Sequence, residues 1–233
     1  MRNSNIMPKV LVRIGDLPII EHIIKIYSHF GYDDFLVCTG YKKNKIERYF
    51  KKNSNLGTME NIQLIDTGLN TPTGGRIKKI EKYLEGAETF FCTYGDGLSD
   101  VNINKLLKFH REKGKIATLT AVHPMSPFGI VSIDGNDIVT SFKEKPTLPG
   151  LINGGFFVFN REIFDYLDSD SVLEEKPLTV LANTKNLAAY VHDGFWACMD
   201  TYKDVHRLNE IWNNGIMPNT GVTFGRPPWK VWK

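Results

Sequence analysis

Residues 89–101 read T-F-F-C-T-Y-G-D-G-L-S-D-V, and the pattern of the rest of the chain is arranged around them. The apolar and aromatic first half of this stretch predicts a strand buried on both faces of a sheet. The strand ends at Gly95-Asp96-Gly97, where two glycines permit a sharp turn, and a helix with Asp100 as its N-cap is predicted to follow. Because ligands of open α/β sheets bind outside the carboxyl ends of the strands, the Asp96 carboxylate is a candidate ligand for a hard cation such as Mg²⁺. The alternative is a turn aspartate that accepts hydrogen bonds from its own backbone.

On both sides of this stretch, short apolar runs alternate with amphipathic segments of helical spacing. The extended runs before and after it are 34–38, 62–65 and 117–122. This alternation predicts an α/β fold built on a doubly wound, mostly parallel sheet of the Rossmann type. At 128–142 the rhythm changes, since two apolar runs flank Asp134-Gly135-Asn136 and predict a hairpin. With no linker in the sequence, residues 1–233 are predicted to form a single domain with a small β-rich insertion.

The bulk properties are ordinary for a globular protein. The chain has 233 residues, 42% hydrophobic content and a net charge of +3, too small and dispersed to favour nucleic acid as a partner. No apolar run reaches the roughly 20 residues that span a bilayer, and no signal peptide is recognisable. Three cysteines without metal-ligand spacing suit a reduced, cytoplasmic compartment. The tail carries Trp229 and Trp232, which predict either a subunit contact in a homo-oligomer or packing within the chain.

Four groups of residues are candidates for one crevice. They are the hydroxyl- and glycine-rich loop 66–76, Asp96, the Glu144-Lys145 pair and Asp200. Asp96 and Asp200 each end an apolar strand and precede a helix, so both are expected on the same side of the sheet. Two aspartates and phosphate oxygens would complete a Mg²⁺ site. The Lys145 ammonium suits a phosphate, and the Glu144 carboxylate suits sugar hydroxyls.

Each of these groups also has a purely structural interpretation. The loop could be a plain connection, Glu-Lys-Pro a solvated turn, and Asp200 the N-cap of the helix that begins near Thr201. What the sequence lacks also narrows the chemistry, because there is no nucleophile elbow, no Walker loop and no histidine pair with ligand spacing. A phosphoryl transfer whose nucleophile is already an anionic phosphate needs only alignment and charge stabilisation.

Several segments taken together resemble a known family, the sugar-phosphate nucleotidylyltransferases. The matching segments are K-V-L-V-R-I-G-D-L-P-I-I (9–20), K-I-Y-S-H-F-G (25–31), D-T-G-L-N-T-P-T-G-G-R (66–76), F-C-T-Y-G-D-G-L-S-D-V-N-I (91–103), F-K-E-K-P (142–146), I-N-G-G-F-F-V-F (152–159), F-W-A-C-M-D-T (195–201) and P-W-K-V-W (228–232). G-D-G and F-x-E-K-P are shared widely in that superfamily. The T-G-G-R, F-W-x-x-M-D-T and P-W-K-V-W segments are most similar to its glucose-1-phosphate cytidylyltransferase branch.

The resemblance implies that CTP and glucose 1-phosphate react, with Mg²⁺, to give CDP-glucose and pyrophosphate for surface polysaccharide (O-antigen) synthesis. By matching position it implies that Asp96 and Asp200 hold the metal and that Lys9 lies against the phosphates. The implied nucleotide-binding residues are Thr67, Gly68, Thr73, Gly74 and Arg76. The implied sugar-binding residues are Gly129, Glu144, Lys145 and Asn153, with Lys145 on the sugar phosphate.

The chain departs from the family at its start. Members begin with an apolar strand and a G-G-x-G-T-R-type loop upstream of the position of Lys9, and the eight residues before Lys9 supply neither. The sequence is therefore expected to lack its first strand and phosphate loop. Three hypotheses stay open: a cytidylyltransferase, a catalytically impaired homologue that retains nucleotide-sugar binding, and another nucleotide-sugar enzyme such as a glycosyltransferase.

Overall fold

The computed structural model of the protein describes residues 7–53, 61–126, 128–217 and 222–232. The strands are β1 (Arg13–Ile14), β2 (Leu17–Pro18), β3 (Phe35–Thr39), β4 (Ile62–Asp66), β5 (Thr89–Cys92), β6 (Gly97–Ser99), β7 (Ala117–Val122), β8 (Ile130–Ile133), β9 (Val139–Lys143), β10 (Ile152–Asn153), β11 (Phe157–Asn160), β12 (Leu187–His192) and β13 (Trp196–Cys198). The helices are α1 (Ile19–His29), α2 (Lys43–Lys52), α3 (Thr73–Lys79), α4 (Ile103–Lys113), α5 (Lys176–Asn183) and α6 (Tyr202–Asn214). The eight residues before Lys9 are expected to lack the family's strand and loop. Residues 1–6 of that segment lie outside the described residues.

The largest sheet has five strands. β10 and β11 pair one after the other with the same edge of β7, β5 pairs with the far edge of β11, and β12 pairs with the opposite edge of β7. β12 runs parallel to β7, as β3 does to β4, whereas β10 and β11 are antiparallel to their neighbours. The predicted α/β class is thus confirmed, but the sheet is mixed rather than mostly parallel, because β11 returns antiparallel between β5 and β7.

The apolar run 152–159 is divided into two strands, β10 and β11. Gly155 and Phe156 between them have positive φ angles of 75° and 47°. This left-handed backbone suits glycine and interrupts the pleat. Both halves still pair with β7, so the ladder continues past the interruption.

β5 is less buried than its sequence predicts. All of Thr89–Cys92 is half-buried, and so is Tyr94 just beyond the strand. Both faces of β5 are covered as predicted, since Phe91 packs against one apolar cluster and Phe90 and Cys92 pack against another. The exposure comes from the edge, because β11 pairs with one edge of β5 and no strand within the described residues pairs with the other. β3 similarly pairs only with β4 in that part of the chain.

α4 begins two residues later than predicted. Asn102, not Asp100, is its N-cap and accepts a hydrogen bond from the Lys105 N–H at 2.9 Å. The Asp100 carboxylate instead lies 2.8 Å from the imidazole Nε2 of His192 on β12. Gly114, with φ of 57°, ends the helix in the left-handed conformation expected of a C-cap.

The β-rich insertion is confirmed as the hairpin β8–β9. Its apolar side chains are exposed, with Phe128 at 75%, Ile138 at 62% and Phe142 at 63% of their full accessible areas. None of the described helices is both long and apolar enough to cross a membrane.

The tail returns to the core. The Trp229 side chain is fully buried and packs against His22, Trp212 and Phe195. Its indole N–H donates to His22 Nδ1 at 3.2 Å, while His22 Nε2 lies 2.8 Å from the Ile14 carbonyl. Of the two predicted roles for the tryptophans, packing within the chain is the one that Trp229 fulfils.

This environment makes His22 a source of pH-dependent stability. Burial lowers the pKa of His22 from an ordinary 6.5 to about 4. Between these two pH values His22 is therefore protonated in the unfolded chain and neutral in the native protein. Below pH 6.5 the native state therefore loses stability as the pH falls, by about 3 kcal/mol once pH 4 is reached. Urea unfolding of the wild type and His22→Gln at pH 7 and pH 4.5 measures this. The wild type should lose its advantage over the variant at the lower pH, and a constant difference would contradict the assignment.

Candidate active site

Asp96 and Asp200 lie at the same end of the two-stranded ladder β6–β13. Asp96 directly precedes β6, and Asp200 follows β13 by two residues. Cys198 is the register partner of Gly97, and the Met199 N–H donates to the Asp96 carbonyl at 2.9 Å. The backbone ladder therefore brings together two carboxylates that are far apart in sequence.

The Lys9 ammonium joins these two carboxylates. Its Nζ lies 2.5 Å from Asp96 Oδ2 and 2.7 Å from Asp200 Oδ1. Lys9 begins a 3-10 turn that continues to Leu11, and Leu11 is buried. Three residues that the sequence singled out thus form one cluster at the edge of the sheet.

The charges in this cluster stabilise one another. Burial alone would lower the pKa of Lys9, but the hydrogen bonds that it donates to the Asp200 and Asp96 carboxylates, and their negative charge, raise it above its ordinary value. The hydrogen bond from Lys9, and a second from the Cys198 thiol, lower the pKa of Asp200. Burial, together with the Asp200 contact at 3.1 Å, raises the pKa of the Cys198 thiol to about 12. Cys198 is therefore a thiol donor and not a thiolate.

Asp200 is not the N-cap of α6. Thr201 has that role, since its side chain accepts from the Asp204 N–H and the Asp204 carboxylate accepts from the Thr201 N–H. This reciprocal pair is a capping box. The structural alternative for Asp200 is wrong, and its carboxylate is available to a cation.

Two carboxylates that converge on an ammonium define a cation position. Among the described residues, no group of three or more His, Cys, Asp and Glu side chains could hold a metal ion. A site with only two protein carboxylates suits Mg²⁺, which keeps waters and takes its other ligands from substrate phosphates. Asp96 and Asp200 therefore fit a magnesium ion whose coordination is completed by a bound substrate.

The loop after β4 is fastened to the end of β3 by Arg76. The guanidinium donates to the Thr39 carbonyl at 3.1 Å and to Thr67 Oγ1 at 2.5 Å. Thr67 is buried, and its hydroxyl donates to the same Thr39 carbonyl at 2.9 Å. Gly68 adopts a positive φ of 98°, and its N–H donates to Asp66 Oδ1 at 3.0 Å. These three predicted nucleotide-binding residues lie together and fix the shape of the loop.

Thr73 and Gly74 form the start of α3, beside the segment that leads into α5. The Thr73 hydroxyl donates to Glu174 Oε2 at 2.7 Å and accepts from the Leu173 N–H at 2.9 Å. A Cβ atom at Gly74 would lie 2.8 Å from the Ser171 carbonyl, so no larger residue fits without a shift of the backbone. The close approach explains why the loop carries glycine there.

Glu174 is a residue that sequence reasoning missed. Besides Thr73, it accepts a hydrogen bond at 2.5 Å from the hydroxyl of Tyr94, two residues before Asp96. The Tyr94 hydroxyl in turn accepts from Asn153 Nδ2 at 3.1 Å. Burial, then the contact with Glu174, raises the pKa of Tyr94, which stays a neutral donor. The network links a predicted nucleotide residue to a predicted sugar residue, and no motif or spacing announces Glu174.

The remaining predicted residues lie at the end of the hairpin. Lys145 Nζ lies 2.9 Å from Glu144 Oε1, and a Cβ at Gly129 would come within 3.1 Å of Glu144 Oε2. Lys145 itself has a positive φ of 45°. In the part of the chain that the structure describes, no hydrogen bond or ion pair joins this trio to Asp96 or Asp200. The structure thus brings Gly129, Glu144 and Lys145 together, but not into direct contact with the carboxylate pair.

Known proteins are similar to this chain in sequence. Residues 4–213 match the family model described as nucleotidyl transferase. The chain is 39% identical to the probable glucose-1-phosphate cytidylyltransferase of Bacillus subtilis, and 39% identical to the glucose-1-phosphate cytidylyltransferase of Salmonella typhi. Both alignments cover 98% of this chain and 93% of the relative.

Solved structures share the fold. HddC from Yersinia pseudotuberculosis superposes with a TM-score of 0.68 at 22% identity, covering 88% of this chain and 89% of that one. A UDP-glucose pyrophosphorylase complexed with UDP-glucose gives a TM-score of 0.66 at 16% identity, with 91% and 92% covered. From its sequence match over nearly the whole chain and its shared architecture, this protein belongs to the nucleotidyl transferase family.

Proposed function

We propose that this protein is a Mg²⁺-dependent glucose-1-phosphate cytidylyltransferase of the cytoplasm, which makes CDP-glucose and pyrophosphate for surface polysaccharide. The observation that carries the proposal is the meeting of Asp96, Asp200 and Lys9 at one sheet edge. That cluster occurs in a chain that is 39% identical, over almost its full length, to glucose-1-phosphate cytidylyltransferases. We also propose that the protein works as a homo-oligomer.

The reaction requires the protein only to position the two substrates and to stabilise the charge on their phosphates. An oxygen of glucose 1-phosphate attacks the α-phosphorus of CTP, the new P–O bond forms, and the bond to the bridging β-phosphate oxygen breaks to release pyrophosphate. The nucleophile is already an anion, so no side chain has to remove a proton. Magnesium, when bound, would neutralise charge on the phosphates, and Asp96 and Asp200 are the residues that would hold it.

The other residues then divide into a nucleotide side and a sugar side. Thr67, Gly68, Thr73, Gly74 and Arg76 shape the loop that would enclose the cytidine. On the sugar side, Lys145 would bind the phosphate of glucose 1-phosphate, and Gly129, Glu144 and Asn153 would line the pocket for the glucose ring. Because the Arg76 guanidinium donates hydrogen bonds to Thr39 and Thr67, its role is to hold the loop in the shape that would enclose the cytidine.

Pyrophosphate release is the test of this function. With CTP and glucose 1-phosphate, release should require both substrates and Mg²⁺, and one CDP-glucose should form for each pyrophosphate. UTP and GTP at the same concentrations are the controls for base preference. Tight CDP-glucose binding without turnover would instead indicate an impaired homologue. Transfer of glucose from CDP-glucose to an acceptor would indicate a glycosyltransferase.

Glu174 offers a prediction on the link between the two sides of the site. Glu174→Gln keeps one acceptor oxygen but loses the charge that receives the Thr73 and Tyr94 hydroxyls. A charge-assisted hydrogen bond contributes about 1.5–3 kcal/mol, so we expect kcat/KM to fall by at least about tenfold. Steady-state kinetics measure it, with Glu175→Gln as control, since Glu175 is exposed and makes no capping hydrogen bond. Equal kinetics for the two variants would contradict the role of the network.

A further inference from the structure

The Lys9 ammonium lies where a metal ion between the two carboxylates would lie. We propose that Lys9 is a built-in cation that holds the place of the divalent ion in the substrate-free protein, so that metal entry requires Lys9 to leave. The inference rests on the proposed function in one respect, namely that Asp96 and Asp200 are the metal-holding pair. It goes further by assigning Lys9 a role before the substrates bind.

The two cations exclude each other at this position. Lys9 Nζ is within 2.7 Å of one oxygen from each carboxylate, and those distances leave no room for an ion between nitrogen and oxygen. Magnesium requires oxygens at about 2.0–2.1 Å in near-octahedral arrangement. A divalent ion a few ångströms from an ammonium would also meet like-charge repulsion, which solvent screens only in part because Lys9 and Asp96 are 32% and 29% exposed, while Asp200 is 61% exposed.

The residues next to Lys9 are held more tightly than the Lys9 side chain itself. Leu11 is buried, and a Cβ atom at Gly95 would lie 2.7 Å from a methyl carbon of Val10, so the side chain next to Lys9 packs closely against the turn that carries Asp96. The Lys9 side chain, in contrast, is 32% exposed and has a flexible stem. Displacement of Lys9 is therefore a side-chain rotation and not a movement of the turn.

Substrate phosphates supply the reason for Lys9 to leave. An ammonium binds a phosphate as a point charge, and a triphosphate brings several anionic oxygens to the same edge of the sheet. Once Lys9 contacts a phosphate, the two carboxylates are free for the metal. Metal and nucleotide then bind cooperatively, and coupling of this kind is reciprocal. In this account the free protein binds divalent ions weakly.

Mn²⁺ binding in the absence of nucleotide tests the inference. Free Mn²⁺ is counted by electron paramagnetic resonance during titration of the wild type, Lys9→Met and Lys9→Arg. Lys9→Met should bind Mn²⁺ at least about tenfold more tightly, because a like charge at close range is removed. Lys9→Arg keeps the charge and should bind as weakly as the wild type. Lys43→Met, which breaks the Lys43–Asp66 ion pair elsewhere, is the control and should have wild-type affinity.

A second measurement uses the unaltered protein. Acetylation of Lys9 by acetic anhydride, followed by mass spectrometry, should increase when Mn²⁺ is added, while Lys108, paired with Glu112 on α4, should react equally with and without it. Unchanged Mn²⁺ affinity in Lys9→Met, or Lys9 reactivity that Mn²⁺ does not change, would overturn the inference. If Lys9→Met binds Mn²⁺ tightly and Asp96→Asn removes that binding, the inference stands even where no pyrophosphate is released. If the wild type releases pyrophosphate but Lys9→Met binds Mn²⁺ no more tightly than the wild type does, the proposed function is retained and this inference is rejected.

Discussion

Asp96→Asn should lower the rate of CDP-glucose synthesis by about a thousandfold, since charge stabilisation by a bound metal is worth roughly 4 kcal/mol of transition-state energy. Asparagine has the same shape as aspartate but lacks the negative charge that faces Lys9. Asp200→Asn should have an effect of the same order because the two carboxylates converge on one cation. The measurement is kcat for pyrophosphate release at saturating CTP and glucose 1-phosphate.

Asp100→Asn is the matched control for these variants. Asp100 lies in the same segment, and its side chain makes one close contact, with His192 Nε2 at 2.8 Å, which an asparagine oxygen can preserve. We expect its kcat to remain near that of the wild type. A loss of activity in Asp100→Asn as large as in Asp96→Asn would point to damage to the turn and would remove the support for a metal-holding role.

Trp229→Ala should lower the free energy of unfolding by about 3–5 kcal/mol, the range measured for the loss of a large aromatic side chain from a core. Trp229 is fully buried and contacts Phe195, which directly precedes β13, and Trp212 on α6. Its removal would also leave His22 Nδ1 without its donor. Urea denaturation followed by circular dichroism measures the change.

Trp232→Ala is the internal comparison. Trp232 lies in the same tail and contacts His22, but it is only partly buried, so its loss should cost less than that of Trp229. If Trp229→Ala does not fold well enough to be measured, Trp229→Phe keeps most of the packing and should lose only part of the stability. Equal, small losses for both alanine variants would show that the tail does not belong to the core.

Regular elements could be predicted from the sequence because their side chains repeat with the period of the backbone. Ile103 and Leu106 mark α4 at helical spacing, and both are buried. The hairpin β8–β9 follows from two apolar runs around a turn. The convergence of Asp96 and Asp200 could also be anticipated, since each follows an apolar run that ends near a helix.

Features that depend on long-range pairing could not be predicted. The half-burial of β5 follows from an edge with no paired strand among the described residues, which its own composition does not reveal. Glu174 reaches Thr73 across a separation of 101 residues, and that contact has no local signature. The N-cap of α6, in contrast, could be predicted, because Thr201 followed three residues later by Asp204 has the spacing of a capping box.

The nucleotide loop and the carboxylate pair are supported by different ladders. Thr67 and Gly68 follow the parallel pair β3–β4, whereas Asp96 and Asp200 flank the antiparallel pair β6–β13. A substitution or insertion in the loop therefore leaves the register that positions the carboxylates unaltered. The part of the loop that we propose for base preference could therefore be exchanged without rebuilding the ladder under the carboxylates, as long as Thr73, which is linked through Glu174 to Tyr94, is kept.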